Sequence, residues 1–304
     1  MEILSFDKKS DEKIHLALGF FDCVHLGHRY LISRTVEDAR ACGQKSAVFT
    51  FSNNPFTLFG GAGQICTFEE RCEIFAELGA DYVIAAHMDE AFSRLSPQSF
   101  LSELFSRFGI SALYCGPDYT FGYKGSGNVD MLKSLAPQNV VVNVCDFLLC
   151  DGSKISSSTI RGYLQSGDVR SAAKLAGKPY SVSGTVRHDY GRGGRIVGFP
   201  TANISPSPDK LLPEDGVYLT TVEIDGSGTE HLSITNVGGK PTFGESRVNV
   251  ESYIQNFSGD LYGKKIRVRF YDYLRPVQKF ADAAALGRQL EADCLKSLQA
   301  RRKI

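Results

Sequence analysis

At 304 residues, 42% of them hydrophobic and 22% charged, the chain is long enough for two domains with separate cores. Acidic and basic residues balance at 34 each, so nothing in the charge calls for a nucleic acid or an anionic membrane as partner. No apolar run approaches the roughly 20 residues that span a bilayer, and the N-terminus lacks the basic start and apolar core of a signal peptide. A cytoplasmic protein is expected. The eight cysteines form no Cys-x-x-Cys pair, which speaks against a zinc ribbon and for buried free thiols.

The first half alternates short apolar runs with amphipathic helices, the pattern of an α/β domain with a parallel sheet. Leu16 to Leu18 reads as a buried strand ended by Gly19. Arg29 to Cys42 reads as a helix, with Leu31, Ile32, Val36 and Ala39 on one face and Gly43 as its left-handed cap. Between them lies Gly19-Phe20-Phe21-Asp22-Cys23-Val24-His25-Leu26-Gly27-His28. This places His25 and His28 where a strand turns into a helix N-terminus, a position that favours an anion. Imidazoles there can donate hydrogen bonds to a phosphate, and Gly27 lets it approach the backbone. Both histidines can equally serve as helix caps.

Ser46 to Phe51 reads as the next strand, followed by the polar stretch Ser52-Asn53-Asn54-Pro55. Thr67-Phe68-Glu69-Glu70 is a capping box, opening a helix that runs to Gly79. Tyr82 to Ala86 is a third strand. Ser96-Pro97 opens a helix that Gly109 is expected to close. Ala112 to Cys115 and Val140 to Val144 complete the strands. Gly116 to Asn128 is rich in glycine and aromatics, which suits a loop closing over a planar ligand. Ile155-Ser156-Ser157-Ser158-Thr159-Ile160-Arg161 sets hydroxyls before a helix, where they can cap it or bind phosphate alongside Arg161. A helical pattern from Gly162 to Gly177 ends at Lys178-Pro179-Tyr180, where the domain boundary is expected.

The second half changes period. Ser181 to Arg187, Gly216 to Ile224, Leu232 to Val237, Val248 to Phe257 and Lys265 to Tyr273 read as strands of a small antiparallel barrel or sandwich. A last helix is expected at about Ala281 to Gln299. In Gly194-Arg195-Ile196-Val197-Gly198-Phe199-Pro200-Thr201-Ala202-Asn203, glycines allow close approach to phosphates. Thr201 and Asn203 supply oxygen ligands suited to Mg²⁺. Glu251 sits on a strand flanked by Val250 and Ile254, as a solvated carboxylate or a base.

These motifs carry a resemblance. Phe21-Asp22-Cys23-Val24-His25-Leu26-Gly27-His28 resembles the His-x-Gly-His signature of nucleotidylyltransferases, and its longer form resembles that of prokaryotic FAD synthetases. Asp118-Tyr119-Thr120-Phe121-Gly122-Tyr123 with Asn128, and then Ser156-Ser157-Ser158-Thr159-Ile160-Arg161, are similar to two further elements of that family in the same order. Gly194 to Asn203, Asn236 to Gly244 with Phe243, Val250-Glu251 and Leu261-Tyr262-Gly263 resemble riboflavin kinase. Four residues depart from the pattern: Cys23 replaces a glycine, Asn53 and Asn54 stand in Asn53-Asn54-Pro55 where it has Pro-His-Pro, and Ser158 replaces a threonine.

The resemblance implies a Rossmann-like α/β nucleotidylyltransferase domain with a parallel sheet over residues 1–180. It implies a small antiparallel β-barrel kinase domain with a C-terminal helix over 181–304. The implied reactions are phosphorylation of riboflavin by ATP and adenylyl transfer from ATP to FMN, with Mg²⁺ at each site. His25, His28, Arg161 and Glu251 would be catalytic. Gly19, Phe21, Asp22, Gly27, Asn128, Ser156, Ser157, Ser158, Gly194, Arg195, Gly198 and Pro200 would bind ATP or phosphate. Asp118, Phe121, Tyr123 and Phe243 would meet the flavin, and Thr201 and Asn203 the metal. The partners implied are small molecules, with no nucleic acid and no membrane. Oligomeric state is left open.

Overall fold

The computed structural model describes residues 1–61, 63–187, 201–239 and 248–278, with Ala285, Arg288, Gln289, Ala292 and Asp293. Contacts group the chain into two compact units, Met1–Ser157 and Ser158–Ile304.

The first unit runs through β1 (Glu2–Ser5), β2 (Ser10–Leu18), α1 (Leu26–Ala41) and β3 (Lys45–Phe51). A 3₁₀ turn (Pro55–Phe59), α2 (Phe68–Glu77), β4 (Tyr82–Ala86), the short α3 (Glu90–Ser93) and α4 (Pro97–Arg107) follow. Then come β5 (Phe108–Cys115), a second 3₁₀ turn (Tyr123–Gly125), α5 (Val129–Leu135), β6 (Val141–Val144) and a small hairpin of β7 (Leu149–Cys150) and β8 (Ser153–Lys154). The sheet order is β1-β4-β3-β2-β5-β6, with every neighbouring pair parallel. Because helices cover such a sheet, its central strands are buried without alternation: Ile14 to Leu18 of β2 are all buried, His15 among them with its Nδ1 on the Tyr114 hydroxyl. Phe6, Phe49, Phe92, Phe100 and Phe121 form a linked ring cluster in this core.

The chain leaves β2 towards β3 on one side and returns to β5 on the other. Ligands bind at the carboxyl ends of strands at such a reversal. The histidine turn follows β2 and the Gly116–Asn128 loop follows β5, so both belong to this crevice.

Several sequence expectations are corrected. The helix opened by Pro97 does not run to Gly109. It ends at Arg107, and Phe108 is already extended at the start of β5. Gly109 lies within the strand, where a Cβ would meet the carbonyl oxygens of Asp11 and Glu12 at 2.8 Å. The helical pattern over 162–177 is two helices, α6 (Ser157–Gln165) and α7 (Val169–Ala176), separated at Gly167 with φ +78°. Cys42 is exposed at the C-cap of α1 rather than buried, whereas Cys23, Cys66, Cys72 and Cys115 are buried as expected.

In the second unit, α6 and α7 precede β9 (Tyr180–Arg187), β10 (Thr201–Ile204), β11 (Gly216–Ile224), β12 (Glu230–Gly239), β13 (Val248–Ile254) and β14 (Lys265–Arg275). These strands close an antiparallel barrel in the order β10-β13-β12-β11-β14-β9. α7 packs on β14 and β9, and Arg170 holds Asp272 of β14 bidentately at 2.7 and 2.8 Å. These contacts group the two helices with the barrel. Inside the barrel, Thr220 shares hydrogen bonds with Ser233 and Thr235, and Thr235 with Ser252, all fully buried. A chain of hydroxyls satisfies itself there without ionised groups. Of the expected helix over 281–299, the five described residues are helical and the others lie outside the described residues.

Candidate functional site

In the first unit the site grows from the turn between β2 and α1. His25 is the N-cap of α1, its Nδ1 accepting from the backbone N–H of His28 at 3.3 Å. The capping reading therefore holds for His25, and the cap aims both rings together: they stack with centroids 3.6 Å apart. His28 also meets the ring of Phe21 edge-on at 5.1 Å. Phe21 and Val24 take left-handed backbone conformations, φ 55° and 45°, at a cost of order 1–3 kcal/mol each. Cys23, which stands where the resemblance has glycine, is not among the left-handed residues, so its side chain costs the backbone nothing. Gly19 is needed for another reason: a Cβ there would lie 2.7 Å from the Phe21 ring. Asp22 is buried, and its Oδ1 accepts from the N–H of Ile65 at 2.8 Å. At Gly27 a Cβ would sit 3.3 Å from the His25 ring.

Burial governs the charge of the pair. It pulls His25 down to about 4, against the smaller raising effects of a backbone hydrogen bond and Asp118, with Lys154 adding a little to the fall. It holds His28 well below the ordinary histidine value, helped by His25. Both rings are therefore neutral near pH 7 and act there through hydrogen bonds rather than as cations. His28 Nδ1 is buried without a hydrogen-bond partner among the described residues. A buried polar atom left open at a strand-to-helix turn is poised for a ligand.

The loop after β5 is pinned rather than loose. Phe121 is buried, stacked on Tyr119 and packed on Phe100, and its backbone pairs with Gly127. It anchors the loop, while Tyr123 presents an exposed ring. Asp118 is exposed and paired with Lys154 at 2.6 Å. Asn128 caps α5, accepting from the N–H of Met131 at 2.9 Å.

Where the resemblance has Pro-His-Pro, both asparagines hold backbone. Asn53 exchanges two hydrogen bonds with Met88, and Asn54 caps the 3₁₀ turn through the N–H of Phe56. Ser156 and Ser157 are half-buried at the start of α6, with Ser158 exposed. Arg161 is half-buried further along α6, in the second unit.

Arg71 is a residue that sequence reasoning passed over. It is fully buried on α2 and donates to the carbonyl oxygens of Phe20 and Phe51, each at 2.8 Å. A charged residue inside an amphipathic helix reads as solvated, and only the fold shows this one turned inward.

In the second unit, β10 pairs with β13 so that Asn203 lies opposite Glu251, and Asn236 of β12 flanks Glu251 on the other side. Thr201 Oγ1 donates to Glu251 Oε1 at 2.6 Å. Asn249 donates to Asn203 Oδ1 at 2.7 Å. The structure thus gathers Thr201, Asn203 and Glu251, which are scattered over some fifty positions of sequence. The hydroxyl of Thr201 and the amide oxygen of Asn203 are hard oxygen donors of the kind that would suit a Mg²⁺, with the Glu251 carboxylate beside them. Among the described residues no group of three or more His, Cys, Asp or Glu could hold a metal. Gly194, Arg195, Gly198, Pro200 and Phe243 lie outside the described residues.

No helix among the described residues is long and apolar enough to cross a membrane. Residues 7–159 match the family model of FAD synthetase, and residues 176–300 that of riboflavin kinase. The bifunctional riboflavin kinase/FMN adenylyltransferase of Listeria monocytogenes is 34% identical, across 95% of this chain and 93% of its own length. That of Bacillus subtilis is 32% identical, across 94% and 92%. Among solved structures, one titled as a macrolide-efflux protein from Streptococcus pneumoniae superposes with a TM-score of 0.85. It is 28% identical and covers 96% of this chain and 97% of its own. With the stacked histidines at the α/β crevice and the Thr201–Glu251 pair on the barrel, these matches show that the chain belongs to the family of bifunctional riboflavin kinase/FMN adenylyltransferases.

Proposed function

We propose that the chain makes FAD in two steps: riboflavin and ATP give FMN on the barrel, then FMN and a second ATP give FAD and pyrophosphate on the α/β unit. Both family models and the curated relatives support flavin synthesis rather than the efflux for which the streptococcal protein is named. The functional boundaries of the two parts are 1–180 and 181–304. The location is cytoplasmic, and no nucleic acid or membrane takes part.

The observation that carries adenylyl transfer is the stacked His25–His28 pair at the N-terminus of α1, with His25 buried and His28 half-buried. As neutral rings at a helix N-terminus, they donate hydrogen bonds to phosphate oxygens without holding the product by full charge. Gly27, Gly19, Phe21 and Asp22 shape the turn that receives the α- and β-phosphates. Ser156, Ser157, Ser158 and Arg161 add donors for the triphosphate, and Asn128 a polar contact. Tyr123 and Asp118 meet the flavin, with Phe121 anchoring their loop.

On the barrel, Glu251 orients riboflavin's 5′-hydroxyl and takes its proton as the phosphoryl group arrives. The Thr201 hydroxyl fixes the carboxylate. Thr201 and Asn203 would hold Mg²⁺, which when bound neutralises charge on the transferred phosphate. Gly194, Arg195, Gly198 and Pro200 would approach the phosphates of ATP, and Phe243 the flavin.

Chromatography of riboflavin, ATP and MgCl₂ incubated with the chain tests the whole reading. FMN should rise first and FAD after it. FMN accumulating without FAD, even when FMN is supplied directly, would remove adenylyl transfer from the first unit.

A further inference from the structure

We infer that Arg71 is a positioning residue for adenylyl transfer, locking the strained turn that carries Phe21 and His28 to the neighbouring loop after β3. The inference rests on the reading of the first unit as the adenylyl-transfer site. Arg71 touches none of the proposed ligand groups; it acts through the backbone.

One guanidinium reaches two strand ends. Nη1 donates to Phe20 O and Nη2 to Phe51 O, each at 2.8 Å, and Thr50 Oγ1 adds a second donor to Phe20 O at 2.7 Å. Phe20 leads into the left-handed Phe21, whose ring supports His28. Phe51 leads into Asn53 and Asn54. The planar fork thus fixes the spacing of the loops after β2 and β3 at their point of departure.

The same helix grips the turn again one turn later, where Phe75 packs edge-on against Phe21 at 5.9 Å. The lead-in to α2 adds two backbone ties: the N–H of Ile65 to Asp22 Oδ1, and the N–H of Cys66 to Asp22 O at 3.0 Å. A left-handed phenylalanine persists only where its surroundings over-determine it, and α2 with its lead-in does so from several directions.

The chemistry of Arg71 argues against simple packing. It is fully buried and stacks over Phe20 at 4.7 Å, and Asp22 favours its charge without a direct salt bridge to it among the described residues. Its Nε has no hydrogen-bond partner there. A cation kept dry in this way is expensive, and an apolar side chain would fill the space at lower cost. What an apolar side chain cannot do is hold two carbonyls at once.

The test measures conversion of FMN and ATP to FAD by wild type, Arg71→Met and Arg71→Lys, with kcat and KM resolved. FMN formation from riboflavin reports on the other unit, and a cooperative urea transition followed by circular dichroism reports that the first unit of each variant is folded. Arg71→Met should lose about 100-fold in kcat at nearly unchanged KM for both substrates, the size expected for misplacing a reacting group by about 1 Å. Arg71→Lys keeps the charge but replaces the two-pronged fork by a single ammonium, so it should stay well below wild type in kcat. A folded Arg71→Met variant with near-normal kcat, a loss confined to KM, or an Arg71→Lys variant with wild-type kcat would each overturn the role. If Arg71→Met does not fold, Thr50→Val removes the hydroxyl that donates to Phe20 O and accepts from Arg71 Nη1, leaving the guanidinium itself in place. It should lower kcat about tenfold without raising KM, and an unchanged kcat overturns the role. A wild type that converts no FMN would instead overturn the functional reading, and the positioning role with it.

Discussion

At the scale of single residues, the histidine pair shows how position sets chemistry. An imidazole in water is half-charged near its ordinary value of 6.5; burial at the start of α1 brings His25 to about 4 and takes His28 in the same direction. Two rings stacked at 3.6 Å could not both be cations without strong repulsion. The shift has a consequence for stability. Above pH 6.5 the folded and unfolded chains both keep these histidines neutral, and the first unit has its full stability. As pH falls from 6.5 towards 4, the unfolded chain takes up protons that the folded one refuses, so stability is progressively lost. The ring signals of His25 in a nuclear magnetic resonance titration should therefore shift near pH 4. Urea midpoints followed by far-ultraviolet circular dichroism should drop between pH 7 and pH 5. A His25 that titrates near 6.5 would mean that the turn opens to water and does not hold the rings as described.

At the scale of elements, α2 illustrates local signals that translate directly into structure. Thr67 and Glu70 exchange side-chain and backbone hydrogen bonds, at 3.3 and 2.9 Å, in a complete capping box. Thr67→Ala should cost about 1 kcal/mol, a fall of roughly 2–4 °C in the melting temperature of a unit this size. No change would mean that packing alone holds the helix end. Such caps, the Pro97 start of α4 and the strand Tyr82–Ala86 were legible because their causes lie within a few residues. The elements that escaped have distant causes. β1 is four mostly exposed residues, with no periodicity of its own until Glu2 to Ser5 pair with Tyr82 to Ala85. β10 hid inside a chemical motif: Thr201 to Ile204 become a strand by pairing with Val250 to Tyr253. Gly109 read as a helix end, yet its lack of a side chain serves the close approach of β5 to Asp11 and Glu12. The site was legible where motif residues adjoin in sequence, as at His25 and His28. Arg71 was not, because its partners Phe20 and Phe51 are carbonyls, and any residue supplies one.

At the scale of the whole molecule, two folds with unrelated logic share one chain. The parallel sheet offers a crevice at its topological reversal, filled by loops after β2, β3 and β5. The barrel offers a surface row, Asn203–Glu251–Asn236, fixed by strand register. If each unit carries its own chemistry, the two steps should separate by single substitutions. Glu251→Gln keeps the shape of the side chain, and its amide oxygen still accepts from Thr201. It removes the base, and FMN formation should fall by roughly 10²- to 10⁴-fold. Supplied with FMN, the same variant should make FAD at close to the normal rate. His28→Ala should behave in the opposite sense: FMN formation continues, and FAD formation falls by about 10² to 10³ through loss of one donor to the transferred phosphate. Near-normal FMN formation by Glu251→Gln would return that carboxylate to an ordinary strand position. If either substitution abolished both steps in a folded protein, the units would be functionally coupled. Mixing the two variants then decides the matter. Independent sites predict that FMN made by His28→Ala is taken up by Glu251→Gln and appears as FAD, at a rate that rises with the concentration of the second variant.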